Sequence, residues 1–233
     1  MPSPQTHDKE PAPPDHASLF KSGEYVSLFQ PDADHNPFRI PYGQKRDALL
    51  NLIGGKDLAV LDVGGGPGRI SIPLSGQHRV TLCDLSLDML KVARSGGGDK
   101  LGLCVADACT LPFAAASFDC VLCVDVLPHV RQPQLLMSEL YRVLRPGGRL
   151  LIDSANAVPL WTLAYPRYVG RNPVRWIQTW LAGGVLPEWR SRVRHSRRGQ
   201  FMALLTTSGF RVRRTIPFGP RICPKWHLAL AER

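Results

Sequence analysis

An α/β fold built on a doubly wound, mostly parallel sheet of seven strands is predicted for this 233-residue chain by three observations. Short apolar runs alternate with segments of helical periodicity across residues 58–154, the pattern of successive βαβ units. The first run ends in Asp62 and turns through Gly64, Gly65, Gly66 and Gly68 into a helical segment, the kind of junction that lines the crevice of such sheets. Apolar residues make up 44% of the chain, enough for one well-buried domain with an insertion, while the length is too short for two.

Taken in order, residues 1–17 carry Pro2, Pro4, Pro11, Pro13 and Pro14 among polar neighbours and read as a disordered tail. Residues 18–233 then form a single domain. It opens with a helical preface: a short helix at 18–29, a break across 31–41, and a helix at 42–53 whose apolar face is Ala48, Leu49, Leu52 and Ile53. Strands follow at 58–63, 79–84, 101–105, 118–124 and 148–153, with helices from about 68, at 86–94 and at 132–144. Right-handed crossovers would place the ligand crevice at the strands' C-terminal ends. After residue 156 the pattern gives way to an insertion at about 157–198, then a helix at 199–208 and strands at 210–216 and 226–231.

The net charge of +10 is uneven. Residues 157–233 hold thirteen arginines and one lysine against Glu188 and Glu232, a balance of +12, so the basic character belongs to the C-terminal third. Six cysteines fall mostly in strand-like apolar runs and read as reduced, buried thiols. Cys120 and Cys123 form C-x-x-C, but on a strand they face opposite sides, which argues against zinc or redox use. No basic start precedes an apolar core, and no apolar run approaches ~18 residues, so a soluble cytoplasmic protein is expected.

Gly64, Gly66 and Gly68 fit D-x-G-x-G-x-G, a spacing that lets backbone approach a ligand where a side chain would block it. The dinucleotide pattern G-x-G-x-x-G fails from Gly64, where Arg69 takes the third position, and from Gly66, where Ser71 does. A carboxylate at the strand tip repels pyrophosphate and suits a cationic or amine-bearing group. Asp84, ending the second strand, can accept both ribose hydroxyls or serve as an acid at a helix N-terminus. Asp107, after the third strand, can accept the exocyclic amine of adenine or form a turn. These acids fit an adenosine ligand, and by themselves leave both NAD and S-adenosylmethionine open.

The succession LDVGGGPGR, CDLS, VADA, LPFAAASFDCVLCVDVLPHV and LYRVLRPGGRLLID, over about residues 58–154, resembles the class I S-adenosylmethionine-dependent methyltransferases. The likeness is greatest to the group that includes the ubiquinone and menaquinone methyltransferases. It implies the Rossmann-like methyltransferase fold and S-adenosylmethionine as co-substrate. Gly64, Gly66 and Gly68 would line its methionine and ribose portion, with Asp62 near the amine. Asp84 and the adjoining Leu85 would hold the ribose, Asp107 and Ala108 the adenine, and the Val124 backbone the amine or methyl-donor end. Arg145–Arg149 would form the turn into the fifth strand.

In this family the methyl group moves by direct displacement, so alignment supplies most of the catalysis and a base is needed only for a protonated nucleophile. His129, in the segment after the fourth strand, is the candidate base, and packing under the next helix is its alternative. Some relatives carry E-x-x-E-H here and use a metal. This chain has Asp125 and His129 but Pro128 in place of the second acid, which removes one ligand; Asp153 and Asn156 could supply oxygen, as in catechol-type enzymes that bind magnesium, and no metal is expected.

The insertion, rich in Trp, Tyr and Arg, reads as an acceptor lid suited to a lipophilic or anionic small molecule, or as a basic face docking on an acidic membrane surface. A surface helix with a solvated basic edge is its plain structural alternative. Two further readings stand beside a small-molecule methyltransferase. The basic third could serve an RNA methyltransferase, although no N-P-P-Y motif is present. A non-catalytic adenosyl-ligand-binding protein is the other.

Overall fold

The computed structural model describes residues 39–155, 196–218 and 226–233. The predicted tail, the 18–29 helix, the break up to residue 38 and nearly all of the 157–198 insertion lie outside them. Helix α1 (Arg39–Ile53) leads into strand β1 (Ala59–Val63), helix α2 (Ser71–Leu74), β2 (Arg79–Asp84), α3 (Leu87–Gly97), β3 (Leu101–Val105) and β4 (Phe118–Cys123). Helix α4 (Pro133–Val143), β5 (Leu144–Ala155), α5 (Arg198–Thr207), β6 (Arg211–Phe218) and β7 (Trp226–Glu232) complete the order. Seven strands pair as β3-β2-β1-β4-β5-β7-β6. The first five are parallel, and β7 runs antiparallel between β5 and β6.

The strand order reverses between β1 and β4, so the chain departs to opposite sides from two adjacent strand ends and leaves a crevice above them. Alternation along the central strands fills a core on each face. Val121 and Cys123 pack with Leu136, Met137 and Leu140 of α4 and Phe201 and Leu205 of α5. Cys120 and Leu122 face the other way, towards Leu49 and Ile53 of α1 and Ile70 and Leu74. The two cysteines of C-x-x-C therefore sit in separate cores, and burial pushes the Cys120 thiol up to about 12 and raises that of Cys123 well above the ordinary thiol value.

Two elements differ from the sequence expectation. The helix after the glycine turn is a single turn: Ile72 N–H reaches Gly68 O at 2.8 Å and Ser75 N–H reaches Ser71 O at 3.0 Å, after which the chain turns through Ser75–Gln77 towards β2. Strand β5 begins at Leu144, not at 148, because Arg145–Gly148 is an excursion within the strand rather than a turn before it. Leu144 already pairs with Phe118, and pairing resumes at Arg149 with Cys120.

Polar ties fix the connections between these elements. Glu139 Oε2 accepts Leu111 N–H at 2.7 Å, while Arg142 donates to Phe113 O at 2.6 Å and Leu111 O at 2.9 Å, clamping the loop after β3 to α4. Asp119 accepts Ala59 N–H at 2.8 Å and pairs with Arg145, joining the starts of β1 and β4. At the far edge, β6 carries Arg211, Arg213 and Arg214, a register shift between Val212 and Arg214, and Pro217. Among the described residues no helix is long and apolar enough to cross a membrane.

Leu140 is fully buried between α4 and the sheet, whereas Leu135 on the same helix is 49% exposed. Leu140→Ala is expected to cost about 2–5 kcal/mol in urea denaturation, and Leu135→Ala within about 0.5 kcal/mol of zero.

Candidate active site

The crevice is floored by the loop leaving β1. Gly64 N–H donates to Cys83 O at 2.7 Å, and Gly66 N–H to Asp84 Oδ2 at 2.9 Å, so the loop lies along the end of β2. Gly64 and Gly66 both adopt left-handed φ, +67° and +54°, which L side chains rarely take. Their surroundings differ. A Cβ on Gly64 would collide with Val126 Cγ2, whereas a Cβ on Gly66 meets nothing within 4 Å. Gly64 is thus glycine because protein packs against it, and Gly66 borders open space.

The predicted acids occupy three environments. Asp62 is 1% exposed and lies beneath the loop, accepting Ser71 Oγ–H at 2.6 Å. A Cβ on Gly65 would stand 2.6 Å from its Oδ2. Burial pushes the Asp62 carboxyl up to about 7, with Ser71 opposing the shift and the Asp84 charge adding to it. Asp84 is half-buried and accepts Gly66 N–H and, at 2.8 Å, Ser86 N–H, so it sets the loop's position. Burial raises its pKa while those amides hold it down. Leu85 N–H adds to these two amides, and the carboxylate's four lone-pair sites are not exhausted by the three donors. Asp107 is exposed and accepts Cys109 N–H at 2.8 Å, which makes it the residue that shapes the turn. Leu85 and Ala108 are half-buried beside these acids, and Val124 is buried.

Across the crevice, the segment after β4 carries Asp125, Val126 and His129. His129 ends a short 3-10 turn, Leu127–His129, and is half-buried, with its N–H on Val126 O at 2.9 Å. Asp125 has φ +59°. Its Oδ1 receives Lys45 Nζ at 2.7 Å, and the same ammonium donates to Asp153 Oδ2 at 2.6 Å. Asp153 Oδ1 accepts Asp125 N–H at 2.7 Å, closing the ring. Burial opposes the Lys45 charge but the two carboxylates outweigh it, and its pKa is raised; burial likewise raises that of Asp153.

Asp125 and Asp153, considered above as metal ligands, therefore converge on an ammonium. Asn156 lies outside the described residues, and among those described no three His, Cys, Asp or Glu side chains gather as metal ligands. Sequence reading missed Lys45 and Ser71. For Lys45 a signal existed: it falls at the 45, 48, 49, 52, 53 spacing of the apolar face of α1, where a solvated lysine has no place.

Residues 61–152 match the family model described as a methyltransferase domain. The chain is 39% identical over 128 residues to the demethylmenaquinone methyltransferase of Paenarthrobacter aurescens (strain TC1), covering 54% of this chain and 49% of that one. It is 37% identical over 121 residues to the ubiquinone/menaquinone biosynthesis C-methyltransferase UbiE of Hahella chejuensis (strain KCTC 2396), covering 47% and 49%. The chain thus spans about half the length of the curated relatives it matches. Among solved structures, magnesium protoporphyrin IX methyltransferase from Synechocystis PCC 6803 with bound SAH superposes with a TM-score of 0.70 at 21% identity, covering 93% of this chain and 97% of that one. The 1,6-didemethyltoxoflavin-N1-methyltransferase of Burkholderia thailandensis does so with a TM-score of 0.66 at 20% identity, covering 97% and 93%. The resemblance to class I S-adenosylmethionine-dependent methyltransferases is borne out, and the fold is the Rossmann-like one of these enzymes.

Two outcomes follow from the geometry. Gly66→Ala is expected to fold with a loss of about 1–2 kcal/mol from backbone strain alone, and Gly64→Ala to lose clearly more, both read by urea denaturation. Asp62 ionises from 3.8 in the unfolded chain and at about 7 in the folded one. Its contribution to stability is therefore complete below the lower value and lost as the pH rises through the higher. Relative to Asp62→Asn, the wild type should lose stability across this window with a slope of up to about 1.4 kcal/mol per pH unit, and parallel curves for the two proteins would contradict the assignment.

Proposed function

We propose that this chain binds S-adenosylmethionine in the crevice between the β1 and β4 loops and transfers its methyl group to a small-molecule acceptor. The observation that carries the reading is the open space over Gly66, next to a carboxylate already aligned by two backbone amides. Bound there, the donor supplies an electrophilic methyl carbon on a cationic sulfur.

The chain's own groups would then orient and hold. The half-buried Asp84 carboxylate, at the end of β2, suits the paired hydroxyls of a ribose, with Leu85 beside it. The Asp107–Ala108 turn suits the adenine edge, since the exposed Asp107 carboxylate accepts an amine. Gly66 admits the backbone's close approach to the methionine portion, Gly64 and Gly68 shape the loop that carries it by packing against Val126 and Ile72, and the Val124 backbone lies towards the amine or methyl-donor end. Asp62 acts from beneath the loop, where a cationic amine above it favours its ionised form. For a hydroxyl nucleophile, His129 accepts the proton as the new bond to carbon forms and the carbon–sulfur bond breaks.

The relatives' names favour a lipophilic, quinone-like acceptor, and the Arg- and Trp-rich residues 157–198 are compatible with one that also carries negative charge. The fold does not select the acceptor, because structural neighbours are named for a magnesium porphyrin and for a toxoflavin precursor.

Calorimetric titration with S-adenosylmethionine, S-adenosylhomocysteine and NAD tests the donor. The first two should bind and NAD should not, and Asp84→Asn should weaken S-adenosylmethionine about tenfold or more, the size of a lost hydrogen bond to a charged group. Absence of binding by the first, or tight binding of NAD, overturns the proposal. With labelled donor and a demethylated quinol as acceptor, His129→Ala and His129→Gln should each lower kcat by about 100-fold or more, and near-normal rates remove His129 from the reaction.

A further inference from the structure

The Lys45 ring has no part in the reading above, yet its placement is hard to account for as packing. Lys45 and Asp153 have side chains only 3% and 0% exposed, while that of Asp125 is 41% exposed. The ring thus has an interior, formed by α1 and β5, and one half-exposed member on the segment after β4. The Lys45 ammonium also lies 5.0 Å from the centre of the Trp226 ring, so β7 closes it from another side. Buried ion pairs add little stability over apolar residues of the same volume. Here the three groups do something apolar residues would not. They hold Asp125 in a left-handed conformation, which costs a non-glycine residue about 1–3 kcal/mol.

That conformation sets the next residue. Val126 is the side chain packed against Gly64, so the turn at Asp125 fixes how closely the β4 segment approaches the glycine loop. The chain of contact runs from Lys45 of α1 through Asp125 and Val126 to Gly64. We propose that Lys45 is a positioning residue for donor binding: by holding Asp125 and Asp153 together it sets the width of the crevice between the β1 and β4 loops. It touches no ligand itself, and the proposal rests on the methyl-donor reading.

The test uses the full chain and S-adenosylhomocysteine as probe. Lys45→Met combined with Asp153→Asn removes the buried cation together with one buried anion, which avoids stranding an uncompensated charge in the core. This variant should unfold cooperatively and bind the probe about tenfold or more weaker than the wild type. Asp125→Ala, at a half-exposed position, should also bind more weakly. The triple variant should be no worse than the weaker of these two by more than about twofold, because all three changes act through one element. Unchanged affinity in a folded Lys45→Met/Asp153→Asn protein overturns the proposal, as does a triple variant whose losses simply add. If the double variant does not fold, unchanged affinity in Asp125→Ala overturns it instead. A wild type that binds neither S-adenosylmethionine nor S-adenosylhomocysteine overturns the methyl-donor reading itself, an outcome distinct from equal binding by wild type and variants.

Discussion

The reversal of strand order between β1 and β4 is the constraint on which the rest of the structure depends. Two parallel neighbours send their chains to opposite sides, so the sheet cannot cover its own edge there, and the backbone amides at the strand ends must find other partners. Asp84 takes Gly66 N–H and Ser86 N–H, and Asp153 takes Asp125 N–H. The same carboxylates that satisfy these amides thereby shape the two walls of the crevice.

The two walls are built on different principles. On the β1 side the backbone is glycine, and its position is set by hydrogen bonds to the end of β2. On the β4 side the backbone is Asp125 in a conformation that ordinary residues avoid, kept there by charge. One wall is permissive by composition and the other is held by its surroundings. Their meeting point is the contact of Val126 with Gly64.

Much of this was legible in the sequence for a simple reason: strand periodicity and glycine spacing are local, and each of the seven strands lies within a few residues of its expected position. The glycine loop and Asp84 were found because their roles are encoded within one strand–turn–helix junction. Two local errors have local causes. The turn at Ser75–Gln77 ends α2 after one turn, and Arg145–Gly148 bulges out of β5 instead of preceding it. Lys45 is a different case. Its partners Asp125 and Asp153 lie 80 and 108 residues away, and no spacing rule connects them. Only its charge on an otherwise apolar helical face marked it. The dual nature of Asp107 is another: the turn it makes is local, and the open carboxylate oxygen it offers depends on where β3 ends in the sheet.

Strand β6 has a bearing on how the chain survives its own folding. A sheet that joins distant segments assembles slowly, and until it is complete its bare margins offer hydrogen-bonding groups to any other unfinished chain. On this margin a repeated positive charge, a kinked register and a proline without an N–H stand in the way of such pairing. Among the described residues, β6 thus carries three of the features that discourage strand addition along a sheet edge.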